Sequence, residues 1–208
     1  MIRKNSLFIK LFKLKISSKS FFEKYMAFFC VKAETCPTCK SSGNLNIHSY
    51  YKRNLIDFID GQVIHHTISI TRTICESCGS THAILPDFII PYCSYSLFFI
   101  LRVLSEYFLH ILSVEALCEK FHITSKQLYK WVKLFHTHEE LYTSFINFMD
   151  KASGAFIFYL KHLDSYSAFA SSFVKTFAFS FMQSHNNPPT AHYTQFVFDP
   201  DYQISDTT

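Results

Sequence analysis

Glycine, proline and charged side chains are all scarce in this chain. Its 208 residues contain four glycines and six prolines, and charged residues make up 17%. This composition excludes collagen-like sequence and glycine-rich linkers. An intrinsically disordered chain is excluded as well, because 49% of the residues are hydrophobic and 24 are phenylalanine. A chain of this length and composition can form the cores of one or two small domains.

Long apolar runs are also missing. The longest near-apolar stretch, residues 97–112, contains Arg102 and Glu106, whereas a membrane-spanning helix needs about 20 residues with few charges. Lysines interrupt every apolar run of the first 34 residues, so no secretory signal core forms. The seven cysteines are an odd number, which argues against complete disulfide pairing. Together these features predict a cytoplasmic protein with reduced thiols.

Positive charge is concentrated at the N-terminus. Residues 1–35 hold eight lysines and arginines against two acids, whereas the other 173 residues hold twelve against fourteen. Two interpretations of residues 1–34 stay open. One is a basic amphipathic helix that touches membrane or nucleic acid. The other is an arm that is disordered or lies upstream of the true start, with Met26 as the alternative start.

Two C-x-x-C pairs, Cys36 with Cys39 and Cys75 with Cys78, form the strongest motif. Each pair can bind one side of an ion, and two pairs complete the tetrahedral four-thiolate shell of a structural zinc site. The interval of 35 residues between the pairs exceeds the roughly 15–20 of compact fingers. A hairpin through Asp60-Gly61 would return the second pair to the first. The spacing therefore predicts a zinc ribbon.

The two C-x-x-C pairs have interpretations other than a zinc site. A redox C-x-x-C needs only one pair and a βαβ context, which is absent here. Two unrelated buried pairs are the second alternative, and His82 is a substitute ligand. Since four thiolates leave no position for a water molecule, the zinc is expected to be structural rather than catalytic. The other cysteines, Cys30, Cys93 and Cys118, are interpreted as small apolar fillers.

The segments around these motifs alternate between strand and helix signals. Residues 46–51 and 55–59 have strand-like patterns, and Ile64, Ile68, Ile70 and Ile74 fall on one face of a further strand. Residues 81–93 contain two prolines and are expected to be an extended connector. A mostly buried helix over residues 97–112, capped by Ser94 or Ser96, should follow.

Residues 113–135 have the pattern of a helix-turn-helix, with a first helix from Val114 to Phe121 and His122 in the turn. Ser125 or Thr124 would cap the second helix. In such motifs the second helix enters the major groove of DNA. Its exposed face would carry the candidate DNA-binding residues Ser125, Lys126, Gln127, Tyr129, Lys130 and Lys133. A plain helical hairpin with solvated lysines is the alternative.

No catalytic constellation is recognisable. The acids after residue 135 lack a βαβ pattern that would gather them around a divalent metal. A P-loop, a G-x-S-x-G elbow and an H-E-x-x-H motif are also absent from the sequence. We therefore predict that the chain is not an enzyme.

The order of these parts resembles the N-terminal DNA-binding portion of bacterial transposases with zinc-ribbon heads. More closely, residues 35–190 resemble a short uncharacterised family of bacterial transposase-associated proteins. The matching segments are His82–Tyr92, Ser94–Leu97, Val114–Cys118, Leu128–Trp131 and Phe181–His185. The resemblance implies zinc and DNA binding and assigns no catalytic residue. The nuclease domain of full transposases has no counterpart here.

The sequence therefore predicts an α+β protein in which a small antiparallel zinc-ribbon sheet precedes an all-helical region. The expected divisions are the arm 1–34, the ribbon and connector 35–93, a helical region 94–150, a Phe-rich helical region 151–185 and a loose tail 186–208. The expected function is DNA binding by a transposase-like or mobile-element-associated regulator, with DNA and a transposase or other protein as partners and no membrane partner. A ribbon that docks onto a larger DNA-processing enzyme and an incomplete transposase are the alternatives.

Overall fold

The computed structural model describes residues 2–4, 17–27, 29–86, 88–145, 173, 177, 179–184 and 192–193, with the backbone alone for 2–4, 140–145 and 192–193. The elements over these residues are β1 (Ile2–Lys4), α1 (Ser18–Ala27), a 3-10 turn (Val31–Ala33), β2 (Leu45–Ile59), β3 (Gln62–Cys75), β4 (Thr81–Pro86), α2 (Leu97–Phe108), α3 (Val114–Phe121), α4 (Ser125–Phe145) and β5 (His192–Tyr193). The predicted α+β class is confirmed.

A long antiparallel hairpin dominates the sheet. β2 and β3 pair from Leu45 opposite Cys75 to Ile59 opposite Gln62. The turn between them is Asp60-Gly61, with φ of 49° and 84°, as two-residue hairpin turns require. The predicted hairpin is thus confirmed, although the two predicted strand runs before it are one continuous strand. A register shift between Ile47 and Ser49 marks a bulge at His48 in that strand.

β4 lies against β3, with Arg72 opposite Ala83 and Ile74 opposite Thr81. The first half of the predicted connector is therefore a third antiparallel strand, and its proline, Pro86, is the last residue of that strand, where proline is tolerated. The short β1 and β5 extend the order to β2-β3-β4-β1-β5 by parallel pairing.

The helices cover one face of this sheet through an aromatic core. Phe121 of α3 packs against Phe58 of β2 and Phe99 of α2, with ring centroids 4.5 and 5.7 Å apart. Trp131 of α4 contacts Phe99 at 6.1 Å and Tyr95 at 4.9 Å. Large aromatic rings bury much apolar area in such edge and tilted contacts. These rings join α2, α3 and α4 to the hairpin.

α2 begins where expected and ends earlier. Ser96 caps its first turn by accepting a hydrogen bond from the backbone N–H of Phe99 at 3.0 Å. The predicted helix continued to residue 112, but α2 ends at Phe108. His110 has a φ of 52°, a left-handed conformation that cannot continue a right-handed helix.

A buried carboxylate joins two helix starts to the sheet. Asp57 of β2 accepts hydrogen bonds from the backbone N–H of Ser18 at 2.6 Å and from the Ser96 hydroxyl at 3.3 Å. Ser18 is the first residue of α1, which lies within the predicted N-terminal arm and buries Phe22 in the core. Negative charge is favourable at helix N-termini, so Asp57 suits this position.

Much of the predicted Phe-rich helical region and of the predicted tail lies outside the described residues. Among the described residues of the region 151–185, Phe173 and Phe181 pack around the buried His138 of α4. Within the described part of the chain, no helix combines the length and apolar character that crossing a bilayer requires.

Candidate metal centre and helix-turn-helix

The two C-x-x-C segments fold into two matching turns. The backbone N–H of Cys36 donates to the carbonyl of Ser41 and the N–H of Lys40 donates back to Cys36, both at 2.9 Å. The second segment repeats this pattern: Cys75 donates to Ser80 at 3.0 Å and Gly79 to Cys75 at 2.8 Å. We call these turns the knuckles, residues 36–41 and 75–80.

Both knuckles need a left-handed residue at the same place. Lys40 and Gly79 each stand four residues after the first cysteine of their knuckle, with φ of 63° and 71°. Glycine adopts this conformation without cost, whereas lysine there is mildly strained. The two cysteine pairs thus lie on turns with the same hydrogen-bond pattern and the same left-handed residue.

The four sulfurs converge on one point. Cys36 Sγ lies 3.7 Å from Cys78 Sγ, and Cys39 Sγ lies 3.6 Å from Cys75 Sγ. All four ligand atoms lie within 4.8 Å of one another. These separations are too long for disulfides, in which the sulfurs are about 2 Å apart. They match the edge of about 3.8 Å expected when four sulfurs surround an ion at about 2.3 Å.

The surroundings affect the thiols unequally. Burial raises the pKa of Cys36 to about 11. The pKa of Cys75 is lowered to about 6, first by the Ser41 hydroxyl and also by the backbone N–H groups of Ser77 and Cys78. The same hydroxyl is the main cause of the lowered pKa of Cys39. Protons must leave such a cluster when a cation binds.

Two neighbours support the cluster without belonging to it. The Ser41 hydroxyl lies 3.1 Å from Cys39 Sγ and 3.4 Å from Cys75 Sγ. His82 of β4 is buried, and its Nε2 lies 3.4 Å from Cys36 Sγ. Burial lowers the pKa of His82, so the neutral ring can donate its N–H to the sulfur. The sequence predicted His82 only as a substitute ligand. The contact of Ser41 with the two sulfurs was not predicted.

The donor set fits a metal ion. Four cysteines whose sulfurs lie within 4.8 Å of one another, two of them buried and two exposed, can form a closed shell of thiolates of the kind that divalent d-block ions prefer. The sheet builds the site because Leu45 pairs with Cys75 at the far end of the hairpin. Two of the four cysteines, Cys36 and Cys75, also belong to a separate small core with Leu45 and Ile84.

The two helices predicted within residues 113–135 are present as α3 and the start of α4. α3 covers Val114–Phe121, and His122 follows it with φ of 49°. Ser113 caps α3 by accepting from the N–H of Ala116 at 3.2 Å. Thr124, rather than Ser125, caps α4 by accepting from the N–H of Gln127 at 3.1 Å. Leu117, Phe121 and Leu128 are fully buried between the helices and the sheet.

The candidate DNA-binding residues all lie on the outer side of α4. Gln127 is half-buried, and the others are exposed: Ser125, Lys126, Tyr129, Lys130 and Lys133. Lys126, Lys130 and Lys133 follow the i, i+4, i+7 spacing of a single helix face.

A comparison with known families covers both sites. Residues 36–131 match the model of a family described as "Domain of unknown function (DUF6431)". The match covers 96 of the 208 residues. It extends from the first cysteine of the four-cysteine cluster to Trp131 in α4, so the knuckles, β2 to β4 and the helices α2 and α3 lie within the matched residues. No curated protein and no solved structure was found to match the chain.

Proposed function

We propose that this chain is a DNA-binding protein whose region matching the DUF6431 family, residues 36–131, is held together by a structural zinc ion. The observation that carries the proposal is the outer face of α4. This face follows a capped helix and a left-handed turn residue, and it presents lysines at one-face spacing. In helix-turn-helix proteins the helix in this position enters the major groove.

The charge pattern of α4 supports nucleic acid as the ligand. Lys126, Lys130 and Lys133 add three positive charges to the first half of α4, and Ser125–Phe135 contains no acid. Lysines neutralise phosphates and bind guanine edges. Gln127 can bind an adenine edge through two hydrogen bonds. Binding by the isolated chain should be weak and sensitive to salt, because few phosphates are neutralised.

Zinc is the proposed ion because the cluster is a closed set of four thiolates. Such a shell leaves no open position for water, so the ion would supply folding energy and no chemistry. Cys36, Cys39, Cys75 and Cys78 would hold it. The likeness to transposase-associated proteins supports a role as a mobile-element-associated regulator without its own nuclease core, acting beside a transposase.

Titration of DNA binding against salt tests the proposal. Fluorescence anisotropy with a mixed-sequence DNA duplex should show an affinity that falls as salt rises. The double variant K126A/K130A should weaken binding and reduce the slope of log K against log salt by about two units. K52A removes an exposed lysine of β2 and should leave the slope unchanged. An unchanged slope in K126A/K130A would refute the proposal.

A second candidate is docking onto a larger DNA-processing enzyme. One observation favours it: Leu109, Ile111 and Leu112, directly before α3, are exposed by 43%, 56% and 37%. The same titration separates the two functions, because a docking module would show no salt-dependent DNA affinity. An incomplete transposase, the third candidate, would nick DNA with magnesium or manganese, and we expect no nicked product.

A further inference from the structure

Part of the helix-covered face of the hairpin extends beyond the helices. Tyr51 of β2 pairs with Ile70, and Arg53 pairs with Ile68. Paired residues share a sheet face, and both isoleucines are buried in the main core. Tyr51, on the same face, is nevertheless 41% exposed. The face therefore changes from buried to open between Ile70 and Tyr51.

Arg72 belongs to this open part. It pairs with Ser49 in β2, two residues along from Ile70, so it lies on the same face and is exposed. Burial raises the pKa of Tyr51, and the positive charges of Arg53 and Arg72 act in the opposite direction. A tyrosine thus lies among guanidinium groups on an accessible sheet surface.

The loop of residues 90–93 places a second tyrosine, Tyr92, near this surface. Tyr92 is 72% exposed and has φ of 60°, a strained conformation for an aromatic residue. The half-buried Arg53 guanidinium donates hydrogen bonds to the carbonyls of Ile90 and Cys93, on either side of Tyr92. Arg53 therefore fixes the loop that presents Tyr92 outward.

This loop also connects the sheet to α4. The N–H of Ile56 donates to the carbonyl of Ser94 at 2.7 Å, and the N–H of Ser96 donates to Ile56 at 3.0 Å. Between them, Tyr95 packs edge-on against Trp131 of α4. Burial raises the pKa of Cys93 in this loop, and the positive charge of Lys130, the residue before Trp131, acts to lower it. The loop is thereby fastened to the sheet and lies beside the proposed recognition helix.

We propose that Tyr51, Arg72 and Tyr92 form a second DNA-contact surface that lies against the sugar–phosphate backbone beside the groove entered by α4. We call it the sheet-face surface. The proposal rests on the proposed function of α4. Its chemistry is that of a backbone contact, since guanidinium and tyrosine hydroxyl groups donate to phosphate oxygens and carry no sequence information. Its partner is the same duplex, because the loop makes it continuous with Lys130.

The test compares two double variants with matched residue types. Y51A/R72Q removes two members of the sheet-face surface, and Y50A/K52Q removes an exposed tyrosine and cation from the opposite face of β2. Both keep the hairpin turn and the knuckles. Binding of the full chain to a mixed-sequence duplex is measured over a salt series, and thermal unfolding of each variant is followed in parallel.

We expect Y51A/R72Q to weaken binding several-fold for every duplex sequence and to reduce the salt slope by about one unit. Y50A/K52Q should have the same affinity and the same salt slope as the wild type. Y92N, which keeps a residue tolerant of positive φ, should weaken binding without changing the unfolding temperature. If K126A/K130A weakens binding but Y51A/R72Q and Y92N do not, the sheet-face surface is refuted and the function of α4 stands. If the wild-type chain does not bind DNA, both proposals fail.

Discussion

His82 shows how a single buried ring can support a candidate metal site without being one of its four cysteine ligands. Its Nε2 lies 3.4 Å from Cys36 Sγ, and its backbone carbonyl accepts a hydrogen bond from the Thr73 hydroxyl at 3.1 Å. An N–H donated to a thiolate disperses the negative charge of the four-sulfur shell. Partners of this kind orient ligands and tune the affinity of metal sites.

Replacing His82 should therefore lower metal affinity. We expect His82→Leu to weaken zinc binding about 10- to 100-fold, because the Cys36 sulfur loses its donor. His82→Gln keeps an N–H donor and should lose less. Competition with a chromophoric chelator measures both. Equal affinities of the wild type and His82→Leu would contradict the role.

A second histidine is held neutral by its surroundings. His138 of α4 is buried among the rings of Phe173, Phe179 and Phe181, and its Nδ1 accepts the backbone N–H of Met182 at 2.9 Å. This burial lowers the pKa of His138 to about 4. The unfolded chain, with an ordinary histidine pKa of about 6.5, binds more protons between these values.

Stability should consequently fall as the solution becomes more acidic. The neutral His138 contributes its full stabilisation above about pH 6.5 and progressively less towards pH 4. The free energy of unfolding should therefore be about 2 kcal/mol lower at pH 5 than at pH 7. His138→Asn keeps an acceptor for Met182 and cannot take up a proton, so its free energy of unfolding should change less over this interval. Urea titrations at the two pH values measure the difference, and equal pH dependence of the two proteins would contradict the assignment.

At the level of single elements, Asp57 is the clearest example of a long-range constraint. One oxygen accepts from the first N–H of α1, and the other accepts from the Phe58 N–H and from the Ser96 hydroxyl that also caps α2. A carboxylate in this position satisfies N–H groups that a helix cannot satisfy itself. The orientation of α1 and α2 on the sheet thus depends on one side chain.

Asp57→Asn should destabilise the protein by about 2 kcal/mol, because the amide removes a charge-assisted acceptor from buried donors. Asp60→Asn is the matched control, since Asp60 is exposed and asparagine suits its positive φ. It should change stability by less than about 0.5 kcal/mol. Denaturant midpoints report both. A loss as small for Asp57→Asn as for Asp60→Asn would show that the carboxylate is dispensable.

The elements that the sequence predicted correctly have local signals. Asp60-Gly61 specifies a hairpin turn, and Ser113 and His122 bound α3. β4 was not predicted, because it is a strand only through its pairing with β3. A helix within residues 1–34 was one of two open interpretations, and the position of α1 depends on Asp57. The early end of α2 at Phe108 also has no sequence signal as strong as glycine or proline, since His110 takes the left-handed conformation instead.

At the scale of the whole molecule, the described residues form a core of two parts of unequal size. The main core joins the hairpin to α1, α2, α3 and α4, whereas the small core that includes Cys36 and Cys75 has four buried residues. Four side chains bury too little apolar area to offset the ordering of two turns. The metal should therefore be needed mainly at the knuckle end of the sheet.

Removing the metal should open that end and leave the helices folded. In hydrogen exchange, a chelator should accelerate exchange at the amides of residues 36–45 and 75–84 and change α2 and α3 little. Cys36→Ser should reproduce this effect, whereas Cys30→Ser, at an exposed cysteine outside the cluster, should not. Identical exchange with and without chelator would mean that the cluster has no structural metal.

The convergence of the four cysteines was predictable, because the spacing of each pair and the hairpin signal between them are visible in the sequence. The clamp of Arg53 on the loop around Tyr92 was not, since it joins residues 37 and 40 positions apart through a register that only the folded sheet defines. The identity of the ion and the DNA contacts of α4 stay predictions.

The position of Asp57 along the chain has a consequence for synthesis on the ribosome. Ser18 precedes it by 39 residues and Ser96 follows it by 39. The segment of α1 is therefore translated well before its anchor, and the anchor well before its last partner. Nascent chains halted at intermediate lengths should be cut by protease near residue 20 until the hairpin has emerged, and become resistant only afterwards.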